Sequence, residues 1–218
     1  MVIEQGSAEW LRERCGKITA SRIADMMDRK KDGSPSAKSE SYMHQLIVER
    51  LTGSVAEHFV NRSMLWGIEH EADARNLYEM RFDREVAAAG FIRHPDFEYT
   101  GGSPDGLVAQ GGIIEIKCPE TWTHLQTLQS QTVPEGYQPQ IQWLLACTER
   151  EWCDFISYDP RITDHRLQLY ARRVPRDEEW IARITQHVAM FEERILAYLR
   201  DVSEIAVSVE SAFQTIAQ

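Results

Sequence analysis

A mixed α/β domain, a central mixed sheet flanked by helices, is what this chain predicts from three observations. Helical apolar spacing runs through the first third of the chain and returns after Thr121 and again near the C-terminus. Short runs of strand-forming residues, broken by Gly, Pro and Asp, lie between. The length is 218 residues, 43% of them hydrophobic and 27% charged, which suits one soluble domain with a sizeable core.

The elements follow in order. Ser7 is placed to cap a short helix, Ala8 to Glu13, that presents Trp10 and stops at Gly16. Thr19-Ala20-Ser21 opens a second helix with Ile23, Ala24, Met26 and Met27 turned inward. Residues 30–38 form a basic Gly/Pro/Ser loop. Ser39 is expected to cap a helix to Leu51, ended by Thr52-Gly53. A long helix is expected over 63–82, with Leu65, Ile68, Ala72, Leu77 and Met80 as its inward side and Glu69, Glu71 and Asp73 among its polar residues. Strands are expected at 85–92 and 98–100, with a turn at His94-Pro95-Asp96. Helices follow over 121–131 and 137–147, with Pro139 tolerated in a first turn. Strands at 151–157 and 166–174 precede a long helix, 176–200, whose stripe is Trp180, Ile184, Val188, Phe191, Ile195 and Leu199. The whole chain, 1–218, reads as a single domain. The part from about residue 176 is expected to pack on the core or on a neighbouring subunit.

Chemistry concentrates in Ser103–Pro119, S-P-D-G-L-V-A-Q-G-G-I-I-E-I-K-C-P. Leu107-Val108 and Ile113-Ile114 suit two strands, and Gly111-Gly112 suits a connection needing positive φ. Alternation puts Glu115 and Lys117 on one face and Ile116 on the other. Asp105, at the start of the first strand, falls across the hairpin from Glu115. Two carboxylates at this range repel and call for a cation. Oxygen ligands suit Mg²⁺ or Mn²⁺ rather than zinc. A lysine beside such an ion orients water and offsets phosphate charge. An ordinary Glu/Lys pair on an exposed hairpin face fits the same residues. Pro104-Asp105 followed by Glu115-Ile116-Lys117 resembles the P-D…E-x-K signature of restriction-endonuclease-like nucleases. The helix before the sheet offers a further carboxylate, Glu71.

Net charge is −10, which opposes general affinity for polyanions. Between Trp10 and Lys31 the balance reverses: Arg12, Arg14, Lys17, Arg22, Arg29, Lys30 and Lys31 stand against Glu13, Asp25 and Asp28. Hydroxyls at a helix N-terminus with Arg14 upstream fit a phosphate; an N-cap and a surface charge fit equally well. The four cysteines, Cys15, Cys118, Cys147 and Cys153, form no C-x-x-C pair and no zinc pattern, and their scatter opposes an iron–sulfur cluster. There is no basic leader with an apolar core and no apolar run near the ~18 residues of a membrane helix. Cytoplasm is the expected compartment.

Six segments then carry a closer resemblance: W-L-R-E-R-C-G-K-I-T-A-S (10–21), W-G-I-E-H-E-A-D-A-R (66–75), S-P-D-G (103–106), E-I-K-C-P (115–119), Q-I-Q-W (140–143) and Y-D-P-R (158–161). In that order they resemble the lambda-type phage exonucleases, the viral-recombinase and alkaline-exonuclease group of the restriction-endonuclease-like PD-(D/E)xK superfamily. The resemblance spans roughly residues 4–160. It implies a restriction-endonuclease-like core and a 5′→3′ exonuclease that degrades one strand of linear duplex DNA, leaving a 3′ single strand for annealing. It implies Asp105, Glu115 and the Ile116 carbonyl as metal ligands, Lys117 at the attacking water, and Glu71 in the second ion's shell, for two Mg²⁺ (or Mn²⁺) ions. Arg14, Thr19, Ser21, Ser103 and Gln140 would hold a terminal 5′-phosphate, with Trp10 beside the last nucleotides and the Arg29-Lys30-Lys31 loop, Lys31 included, on the duplex. It further implies a homotrimeric ring, a phage single-strand-annealing partner, and a phage or prophage gene in a bacterial host.

Rival functions are a sequence-specific restriction-type endonuclease, a catalytically silent DNA-end-binding protein, and a metal hydrolase of non-nucleic-acid substrates. A compact single domain leaves little room for the recognition element of the first. Retention of Asp105, Glu115 and Lys117 argues against the second, and the basic Trp10–Lys31 stretch against the third.

Overall fold

The computed structural model describes residues 3–55 and 62–216. Helix α1 (Ala8–Arg14) starts at Ser7, whose hydroxyl accepts the Trp10 N–H. β1 (Ile18–Thr19) leads through a 3-10 turn, Ala20–Arg22, into the five-residue α2 (Ile23–Met27). α3 (Ala37–Thr52) is capped by Ser36 and ends at Gly53, where φ is +64°. Ser39, the expected cap, is instead buried in the first turn, and its hydroxyl donates to the Met26 carbonyl, tying α3 to α2. α4 (Arg62–Phe82) follows; it buries Ala74 and Tyr78, whereas Leu65, Ile68, Ala72 and Met80, expected on its inward side, are exposed.

The strand expected at 85–92 is two short strands in two sheets, β2 (Val86–Ala87) and β3 (Ile92–Arg93). Ala87-Ala88-Ala89-Gly90 has no branched side chains to hold a strand, and Gly90 lies against the backbone of Ile3. β3 pairs with β4 (Thr100–Gly102), which also pairs with β1 in a three-stranded sheet. β2 edges the main five-stranded sheet, in the order β2, β5 (Gly106–Val108), β6 (Gly112–Lys117), β7 (Trp152–Tyr158), β8 (Leu169–Pro175). Within this sheet, among the described residues, β6–β7 is the one parallel pair, so the main sheet is mixed. α5 (Thr121–Ser130) and α6 (Gln138–Thr148) form the crossover between those two strands. Thr121, expected as a cap, is the first residue of α5, and its hydroxyl is turned to Asp159.

Alternation along β6 divides the core. Ile113 joins Phe155, Trp143 and the inward faces of α2, α3, α6 and α7 (Glu178–Ile216). Ile114 and Ile116 join Ile156 and Tyr158 against Ala74 and Tyr78 of α4. α7 is capped by Asp177 and buries Ile181, Ile184, Val188, Phe191 and Ile195, a helical stripe. It runs past the expected end at residue 200 as one helix to Ile216, and residues 203–206 are exposed. All four cysteines are free. Among the described residues no helix is long and apolar enough to cross a membrane.

The hairpin glycines serve a purpose other than the expected one. The positive φ of the β5–β6 turn falls on Ala109 (φ 47°), not on Gly111 or Gly112. Arg150 secures this strained residue by donating to the carbonyls of Val108, Ala109 and Gly112. Gly112 is required by space: a Cβ there would sit 2.1 Å from the Trp152 ring, itself covered by the Arg173 guanidinium 3.5 Å from its centroid. Gly112→Ala is therefore expected to destabilise the fold by about 1–3 kcal/mol through overpacking. A denaturant titration reads this, and an unchanged midpoint would show that Trp152 yields freely.

Candidate active site

The sheet presents its acidic pair where β5 begins and β6 ends. The register pairs Gly106 with Ile114, so Asp105, one residue earlier, falls opposite Glu115. The Ile116 N–H donates to Asp105 Oδ2 at 2.6 Å, fixing that carboxylate against the strand. Glu115 is 1% exposed, pointing into the face that Ile114 and Ile116 avoid. Its Oε1 pairs with Lys117 Nζ at 2.6 Å and accepts the Gln140 side-chain amide at 2.5 Å. Its Oε2 is buried and meets no hydrogen-bond partner among the described residues.

An ionised carboxylate with one bare oxygen in a low-dielectric site is costly unless a cation or donor arrives. Electrostatics give the same sign. Burial raises the Asp105 pKa well above the ordinary carboxylate range, and Glu115 and Glu71 push it further. Burial also raises that of Glu71, with the Arg75 guanidinium, 2.9 Å away, pulling it back. For Lys117, burial works to lower the pKa, but the carboxylates of Glu115 and Asp105 outweigh it, so the amine stays charged. Three carboxylates in mutual repulsion around one ammonium fit a hard divalent ion. Among the described residues no three His, Cys, Asp or Glu side chains already converge as a cage. The donor set is thus sparse and leans on Asp105 and Glu115.

A cavity of about 710 Å³ adjoins this pair, with Asp105 and Glu71 in its wall beside Arg14, Thr19, Ser21 and Trp10. The Arg14 guanidinium lies 4.1 Å from the Trp10 ring centroid, and Trp10 Nε1–H donates to Ser103 Oγ at 2.9 Å. Arg14, Trp10 and Ser103 form one stacked and bonded unit. The Thr19 and Ser21 hydroxyls stand 3.5 Å apart, and Thr19 N–H donates to the buried Tyr42 hydroxyl. Gln140 bonds the carboxylate pair rather than facing this cavity, and Lys31 sits on an exposed loop outside it.

Residues that the sequence reading passed over hold the cavity in shape. Glu49, 3% exposed, accepts the Gly16 N–H at 2.8 Å. Arg50 donates to the Gly16 carbonyl and forks onto Glu192 at 2.7 Å through both nitrogens. The turn that presents Arg14 and Thr19 is thereby fastened to α3 and α7. One signal was legible: Tyr42, Leu46 and Glu49 share helical spacing, so an acid lies on the apolar face.

The sequence profile of the YqaJ-like viral recombinase domain matches residues 9–151. Over 93% of this chain and all of its own, the crystal structure of an alkaline exonuclease (LHK-Exo) from Laribacter hongkongensis superposes with a TM-score of 0.86 at 39% identity; that protein has also been solved with dAMP. A phage-related exonuclease from Haemophilus somnus 129PT shares the fold, with a TM-score of 0.70 at 16% identity, over 85% of this chain and 96% of its own. An uncharacterised protein of Acanthamoeba polyphaga mimivirus is 26% identical over 168 residues, 71% of this chain. The chain spans about 29% of the length of that curated relative.

Proposed function

The chain belongs to the YqaJ-like viral recombinase domain family, and from that premise we propose that it is a divalent-metal-dependent exodeoxyribonuclease working 5′→3′ on linear duplex DNA. The observation that carries this reading is the bare, buried Glu115 Oε2, beside Lys117 and across from Asp105, at the edge of a cavity lined by Arg14, Thr19 and Ser21. Asp105, Glu115 and the Ile116 carbonyl would hold Mg²⁺ or Mn²⁺, with Glu71 serving a second ion. When bound, the ions supply charge neutralisation for the scissile phosphate and acidify water. The chain's own groups do the rest. Lys117, held charged by Glu115, orients the attacking water. Gln140 steadies Glu115 through its amide. Arg14, Thr19, Ser21 and Ser103 grip the terminal 5′-phosphate, and Trp10 backs Arg14 and flanks the end nucleotides.

We read the chain as one nuclease domain, 1–218, acting as a homotrimeric ring that keeps an acidic protein on DNA by enclosure. It would pass its 3′ single strand to a phage annealing protein in the bacterial cytoplasm. Light scattering is expected to give a trimer, and a monomer at micromolar concentration would remove the ring. The deciding assay uses linear duplexes with 5′-phosphate or 5′-hydroxyl ends, with and without Mg²⁺, products being resolved by strand. Loss of the 3′-ended strand, or cutting of circular DNA, would defeat the reading.

The carboxyl environments set a pH dependence. Asp105 and Glu71 have raised pKa values, so each keeps its proton where a free carboxyl has lost it. An incoming cation must displace those protons. Mn²⁺ affinity should therefore rise as pH climbs through the raised values, with proton release on binding. Calorimetry in two buffers of different ionisation enthalpy counts the protons; pH-independent affinity would contradict the argument.

A further inference from the structure

The Tyr158–Arg161 segment has no part in the chemistry above, yet it sits against it. β6 and β7 are parallel and end together, Lys117 beside Ser157, so the two chains leave the sheet side by side. Asp159 is fully buried. Its Oδ1 accepts the Arg161 main-chain N–H at 3.0 Å and Nε at 2.8 Å, and Oδ2 accepts Nη2 at 3.2 Å. This fixes the plane of the guanidinium. The same group donates from Nη2 to the Pro119 carbonyl at 2.8 Å and from Nη1 to Glu120 Oε2 at 3.0 Å. Its Cζ lies 4.5 Å from the Trp66 ring centroid. Trp66 in turn packs on His70, centroids 3.9 Å apart, and His70 precedes Glu71.

The contact on Trp66 matters because of how α4 is seated. Its buried residues, Ala74 and Tyr78, both lie beyond Glu71, while Leu65 and Ile68 are exposed. The half of α4 that leads to Glu71 has few anchors of its own. We propose that Arg161 is a positioning residue that locks the exit of the Glu115–Lys117 strand to the helix carrying Glu71. The assignment rests on reading Glu71 and Glu115 as cation ligands. A planar, five-donor fork is required, since it must bond Asp159, Pro119 and Glu120 in its plane and cover Trp66 with its face.

The test is a double cycle of Arg161→Gln against Glu71→Gln, read two ways: Mn²⁺ binding from the electron paramagnetic resonance of the free ion, and steady-state rates on 5′-phosphorylated duplex. Arg161→Gln is expected to weaken Mn²⁺ binding and lower kcat by about 10- to 100-fold, with KM for DNA ends little changed. In the Glu71→Gln background the same substitution should cost much less. Arg161→Lys should restore little, because a point charge cannot reproduce the fork. Trp66→Leu removes the ring, whose Nε1 has no hydrogen-bond partner among the described residues, and should show the same coupling even if Arg161→Gln does not fold. Equal losses in both backgrounds, or full restoration by lysine, would overturn the proposal. An inactive wild type whose Mn²⁺ binding still shows the coupling would sink the nuclease reading and keep the clamp. An active wild type without coupling would do the reverse, and a wild type that binds no Mn²⁺ would overturn the clamp.

Discussion

Asp105→Asn and Glu115→Gln should each remove turnover on linear duplex DNA, by about three decades or more. A divalent ion supplies several kcal/mol of charge stabilisation to phosphate displacement, and each 1.36 kcal/mol is about tenfold. Asp105 and Glu115 face each other across the β5–β6 hairpin, and Glu71, on α4, acts on Asp105 from a separate element, so neither member of the pair has a substitute on the sheet. The fold should survive. Asn at 105 still offers an oxygen to the Ile116 N–H, and it removes a charge that Glu115 and Glu71 oppose. The sign of the stability change follows from linkage. A carboxyl with a raised native pKa stabilises the native state below its unfolded value, and that contribution is lost as pH rises towards the native value. At pH 8 and without metal, Asp105→Asn should therefore melt no lower than wild type. Melting curves and initial rates on the same preparations check both halves. Near-normal rates in either variant would refute the assignment of the pair.

Arg14→Ala should erase most of the preference for 5′-phosphorylated ends. A charge-assisted hydrogen bond contributes roughly 1.5–3 kcal/mol, or about one to two decades in rate. Burial works to lower the Arg14 pKa, with Tyr42 and Glu49 opposing, but a guanidinium remains charged in this range. The loss should be large on phosphorylated ends and small on hydroxyl ends. Initial rates for both proteins on both substrates complete the cycle. The stack on Trp10 gives an internal control: Trp10→Phe keeps a ring under Arg14 but drops the bond to Ser103. Its effect should be smaller than that of Arg14→Ala. Equal losses on both ends would mean that Arg14 supports the fold or the duplex backbone, and the phosphate pocket would fall.

Local signals were legible in the chain wherever they depend on neighbours along it. The Ser7 cap, the hairpin, the alternation of Glu115, Ile116 and Lys117, and the apolar stripe of α7 follow from periods of 2 and 3.6. Where the structure departs from these signals, the cause is a contact from elsewhere in the chain. The Ser39 hydroxyl precedes an apolar pattern and suits a cap, but the Ser36 hydroxyl does the same three residues earlier, and burial of Ser39 against α2 decides between them. Gly112 reads in the sequence as a turn residue with backbone freedom, whereas it is the Trp152 ring, distant in sequence, that excludes a side chain there.

Residue types and spacing alone determined that Asp105, Glu115 and Lys117 can share a patch, because strand alternation and a hairpin leave few other arrangements. Tertiary structure alone decided what that patch lacks and what holds it. The bare Glu115 Oε2, the Gln140 amide on its other oxygen, and the Arg161 fork on Asp159, Pro119 and Trp66 each join residues from separate elements. The physical reason is the range of the forces. Backbone sterics and side-chain periodicity act over a few residues, whereas desolvation and hydrogen-bond satisfaction depend on every atom packed around a group, whichever part of the chain it comes from.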